Sequence, residues 1–103
     1  MLKRLFGGSK FIKKLNPLLE LYAHSRNQKS TYRELLALEP FVRTKGERAL
    51  FDLNRSALLY DMGKLEEAAD VIREIPPLNP EMDAKTAQMK TKIRQAINEG
   101  VYL

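Results

Sequence analysis

Apolar residues recur along most of the chain at spacings of three and four, the period of an amphipathic helix, and no long alternating stretch suggests a strand. Leu18, Leu19, Leu21, Tyr22 and Ala23 form one stripe behind Asn16-Pro17, a pair suited to an N-cap and the first helical position. That stripe fades at Ser25-Arg26-Asn27. Thr31, with Glu34 three positions later, predicts a capping box opening a second helix through Tyr32, Leu35, Leu36 and Leu38, which Pro40 limits. Beyond the polar Thr44 to Gly46, a longer helix is predicted through Ala49, Leu50, Leu53, Ala57 and Tyr60, with Gly63 as a positive-φ cap. The next carries Leu65, Ala68, Ala69, Ile72 and Ile75 and stops at Pro76-Pro77, which offer no amide hydrogen. Asn79-Pro80 repeats the Asn-Pro start. The last helix runs through Met82, Met89, Ile93, Ala96 and Ile97 to near Gly100, and its Lys85, Lys90, Lys92, Arg94 and Gln95 suit a helix that closes a stack against solvent. The pattern predicts an all-α chain of five to six helices with short connections.

Composition narrows this. A chain of 103 residues, 44% hydrophobic and 30% charged, fits one domain with one modest core. The absence of cysteine excludes a disulfide framework and thiolate chemistry and points to a reducing, cytoplasmic setting. No apolar run approaches the ~20 residues of a bilayer span. The net charge of +5 has one address, because residues 1–14 hold Lys3, Arg4, Lys10, Lys13 and Lys14 and no acid. Residues 15–103 are neutral, so nucleic acid is not the expected partner. The chain thus divides into a basic N-terminal tail or short helix, 1–14, and a helical domain, 15–103. Two alternatives stand for 1–14. Either a short helix from Ser9 packs Phe11, Ile12 and Leu15 on the domain, or Lys3, Arg4, Leu5, Phe6, Lys10, Lys13 and Lys14 form a basic amphipathic patch making weak contact with an anionic membrane.

The order of residues from Ala49 to Pro80 is more specific. Small Ser56 lies in a first helix, Leu59-Tyr60 follow, and Gly63-Lys64-Leu65-Glu66-Glu67-Ala68 makes a turn and second-helix start before Ile72, Ile75 and Pro80. This stretch resembles a tetratricopeptide repeat, the two-helix unit of about 34 residues that stacks into solenoids. It departs from the pattern in lacking a clear early aromatic, Phe51 being the nearest, and in the shortened second helix before Pro76-Pro77. Moving back 33 residues sets Ala23 under Ser56, Ser30 under Gly63, Tyr32 under Leu65 and Leu35 under Ala68, a degenerate second copy. The resemblance implies a short right-handed solenoid of antiparallel helical hairpins: a degenerate hairpin at 17–40, a repeat at 47–76 and a capping helix at 80–99. Its central packing is Ser56 against Ala68, small residues that let two helices approach closely.

Catalytic chemistry has little support. His24 is the single histidine, and Gly7-Gly8-Ser9-Lys10 lacks the spacing of a phosphate loop. Glu66 and Asp70 share a face, but there they complement a helix N-terminus. No catalytic, cofactor or metal site is expected. The resemblance implies work through a concave groove lined by Leu50, Leu53, Asn54, Ala57 and Asp61, with Glu20, Leu21 and His24 from the upstream copy and Gln88, Thr91 and Gln95 from the capping helix. Asn54 stands where family members that grip a peptide carboxylate place an asparagine. The basic residues those members add are absent at Glu20, Leu21, Ala84 and Gln88. The expected function is a non-enzymatic adaptor or scaffold binding a peptide or helix of another protein. Self-assembly into a homo-oligomer and membrane-surface attachment through 1–14 are the rivals.

Overall fold

The computed structural model describes residues 9–100. Within them lie five α-helices and no strand: α1 (Lys10–Ser25), α2 (Gln28–Leu36), α3 (Lys45–Asp61), α4 (Leu65–Arg73) and α5 (Pro80–Asn98), with a 3-10 turn at Glu39–Phe41. The all-α expectation holds.

α1 begins well before Asn16-Pro17. Ser9 caps it by accepting from the Ile12 N–H at 3.0 Å, and Pro17 sits inside the helix. The reason is burial. Phe11, Ile12, Leu15, Leu18 and Tyr22 form one inward stripe, and burying each such side chain contributes roughly 1.5–3 kcal/mol. Together they outweigh the ~3 kcal/mol that proline costs in a helix interior. Pro17 and Lys13 are both exposed, so water can reach the carbonyl that Pro17 leaves without an amide partner. The boundary expected between residues 14 and 15 therefore falls inside a continuous helix. Of the two alternatives for this segment, helix formation from Ser9 with Phe11, Ile12 and Leu15 packed inward is what the described residues show. Lys3, Arg4, Leu5 and Phe6 lie outside them.

α2 also starts early. Asn27, not Thr31, is its N-cap and accepts from the Ser30 N–H at 3.1 Å, while Thr31 is buried. The Ser30 hydroxyl takes up Glu34 instead, at 3.2 Å. α3 opens on a reciprocal cap. The Thr44 hydroxyl accepts from Glu47 N–H at 3.0 Å, and the buried Glu47 carboxylate accepts from Arg43 N–H at 2.8 Å. It ends in a Schellman turn at Gly63, φ +79°, with Lys64 N–H bonding the Leu59 carbonyl and Gly63 N–H that of Tyr60. α5 starts where Asn79-Pro80 predicts, Asn79 accepting from Met82 N–H at 2.9 Å.

α3 and α4 form the tightest hairpin. Ser56 and Ala68, each six residues from Met62, are fully buried at their crossing, and the Ser56 hydroxyl donates to the Ala68 carbonyl at 3.0 Å. α2 runs antiparallel to α3, tied by Arg55 to Tyr32 at 3.1 Å near one end and Arg48 to Glu39 at 3.1 Å near the other. α1 runs parallel to α3. Phe11 meets Phe51 with ring centroids 6.3 Å apart, and further along Tyr22 meets Asp61. Segment 10–36 is thus a hairpin lying beside the α3–α4 hairpin, and α5 packs on α4 and α3.

Candidate functional site

α3 is the central helix. Glu47, Ala49, Leu50, Phe51, Ser56, Leu58 and Leu59 bury it over most of its circumference. In its C-terminal half Leu53, Asn54, Ala57, Tyr60 and Asp61 remain only partly covered. At helical spacing these five share one side, a line running between α1 and α5. Its α1 edge is built from charge. The Tyr22 hydroxyl donates to Asp61 Oδ2 at 2.6 Å, Arg26 Nη2 lies 3.6 Å from the same oxygen, and the Arg26 guanidinium stacks on the Tyr22 ring at 4.6 Å. Burial, and then the neighbouring Asp61 carboxylate, raise the Tyr22 pKa above its ordinary value of 10.0. Arg26 reaches this position from a left-handed backbone, φ 53°, which turns the chain from α1 toward α2. The α5 edge is marked by Lys92, whose ammonium lies 5.1 Å from the Tyr60 ring centroid.

The expected groove residues divide. Leu53, Asn54, Ala57 and Asp61 do share the half-buried stripe. Leu50 does not belong with them: it is buried in the core, because the stripe is open only over the last turns of α3. Asn54 already uses one amide hydrogen on the Leu50 carbonyl of its own helix, at 2.9 Å. Its second hydrogen and its carbonyl are what a ligand could meet. Asp61 is committed to Tyr22 and Arg26. Gln88 and Thr91 are exposed on α5 beside a shallow depression of about 440 Å³ with Ala87, Lys92 and Gln95. Glu20 and His24 are exposed on α1 but lie two residues either side of Tyr22, about 160° around the axis from it. They face away from Asp61, and the structure does not bring them to the stripe.

Sequence reasoning missed Tyr22, Arg26, Tyr60 and Lys92 as edge residues. Part of the signal was present: Tyr22 and Arg26 stand one turn apart, the spacing that lays a guanidinium on a ring. The pairing of that unit with Asp61, 39 positions downstream of Tyr22, has no local signature.

The membrane-contact residues within the described chain, Lys10, Lys13 and Lys14, are all exposed on the first turns of α1. Lys14 covers the Phe41 ring at 4.8 Å. Phe11, Ile12 and Leu15 point into the core and are not available for insertion beside these lysines. No described helix is long and apolar enough to cross a membrane. The chain matches no protein-family model, no curated protein and no solved structure.

Proposed function

We propose that the chain is a non-enzymatic protein–protein interaction module, a short tetratricopeptide-like stack acting as a cytoplasmic adaptor. Its partner contributes a peptide or helix that lies along the open stripe of α3. The observation that carries this reading is the half-buried line Leu53, Asn54, Ala57 and Tyr60 on the central helix, edged by α1 and α5. A partner's apolar side chain would cover Leu53 and Ala57. Asn54, Gln88 and Lys92 would set its register through hydrogen bonds and charge. The parallel run of α1 and α3 supports the likeness to stacked repeats, since consecutive hairpins of such a stack place their first helices side by side.

Selection of displayed random peptides against the full chain tests this. Selected peptides should lose at least about ten-fold in affinity, ~1.4 kcal/mol, for Ala57→Arg, whose side chain would fill the stripe. They should also weaken for Asn54→Asp, with helix content unchanged by circular dichroism. Peptides that bind both variants as well as the parent chain would remove the stripe as the binding surface.

A further inference from the structure

A second cleft lies on the flank of α5 opposite Gln88 and Lys92. It is a cavity of about 360 Å³ between α4 and α5, floored by Ala69, Ile72, Ile93 and Ile97 and rimmed by Arg73, Lys90 and Arg94. No acid lines it. Lys90 and Arg94 stand one turn apart on one side of α5, and neither forms an ion pair among the described residues. Arg73 is paired with Asp70 at 3.0 Å, but both side chains are 69% exposed. Such a pair contributes little and is easily exchanged for another carboxylate. The arrangement is asymmetric for a protein whose residues 15–103 sum to zero charge: an apolar floor rimmed by three cations, of which Arg73 alone has an acid, Asp70, beside it.

We propose that this cleft docks an acidic amphipathic helix of a partner protein. Charge complementarity selects the occupant. Apolar side chains one turn apart on the partner would enter over Ile93 and Ile97, which have the same spacing. Carboxylates flanking that seam would meet Arg73, Lys90 and Arg94, the two arginines offering forked donors. The site lies apart from the α3 stripe and does not depend on it.

The test is a displayed library of amphipathic helices with a fixed apolar seam and flanking positions randomised between glutamate and lysine, panned on the full chain. Glutamate should be enriched beside the seam. Binding of an enriched peptide should fall with added salt, and by about ten-fold or more in the Lys90→Glu, Arg94→Glu double variant. Ala57→Arg should leave it unchanged. Both substituted positions are exposed, and circular dichroism checks that the double variant keeps its helices. The proposal is overturned by enrichment of lysine, by no charge preference, or by unchanged affinity in the double variant. It is equally overturned if the reversals abolish binding to anionic vesicles, or self-association of the chain, while no acidic helix binds.

Discussion

Ser56 shows how one small side chain holds a hairpin. Its hydroxyl donates to the Ala68 carbonyl where α3 and α4 cross, and neither residue leaves surface exposed. Ser56→Ala keeps the close approach and removes only the hydrogen bond, so it should cost about 1 kcal/mol in urea denaturation. Ser56→Leu adds volume where none is free, and roughly 1–3 kcal/mol of overpacking should follow. Asp52 gives a residue-level prediction with a sign. Burial raises its pKa above the ordinary 3.8, against the opposing pull of Arg48 and Arg55. Above pH ~4 the folded chain therefore holds this proton more tightly than the unfolded chain. Stability attributable to Asp52 falls as pH rises through its raised pKa. Asp52→Asn lacks that fall, so the stability of the variant minus that of the parent should grow between pH 3 and pH 7. A difference that shrinks over this range would contradict the assignment.

The two Asn-Pro pairs show why element boundaries are partly readable in the sequence. At Asn79-Pro80 the preceding Pro76-Pro77 forbids helix, so the cap residue decides and α5 starts there. At Asn16-Pro17 the same dipeptide is overruled, because Phe11, Ile12 and Leu15 continue the inward stripe of Leu18 and Tyr22 and tertiary burial exceeds the local penalty. Local chemistry is visible to a reader of the sequence, while the surface against which a stripe will pack is not. The same limit explains the site. The shared side of Leu53, Asn54, Ala57 and Asp61 follows from helical spacing within one element. The wrong placement of Glu20 and His24 came from a long-range alignment that does not say which way α1 is rotated. Pro17→Ala tests the balance in α1. It restores an amide hydrogen to an exposed turn and should stabilise the protein by about 1–3 kcal/mol, read as a higher melting temperature.

For the molecule as a whole, α1 belongs to the core rather than to an appendage. A chain beginning at Ser9 keeps the N-cap and every buried residue of α1, and should retain the melting temperature of the full chain within a few degrees. A chain beginning at Leu15 loses Phe11 and Ile12, both fully buried, along with the first turn of the helix. Removing one such phenylalanine side chain typically costs about 3–5 kcal/mol, a large part of the stability of a domain this size. The shorter chain should therefore be largely unfolded by circular dichroism. Equal melting of the two would show that α1 is dispensable. Vesicle flotation on residues 1–8 accordingly needs the chain starting at Ser9, so that any loss reports on charge and not on unfolding.

α1 meets α3 at two points roughly 16 Å apart along α1. One is aromatic, Phe11 on Phe51; the other is a latch of phenol, carboxylate and guanidinium, Tyr22, Asp61 and Arg26. Concentrated salt weakens the Arg26–Asp61 part of the latch and leaves the aromatic mooring alone. Because α2 stays packed along α3 through Arg55–Tyr32, loosening the latch would free only the Tyr22–Arg26 end of α1, widening one end of the α3 channel without parting the core.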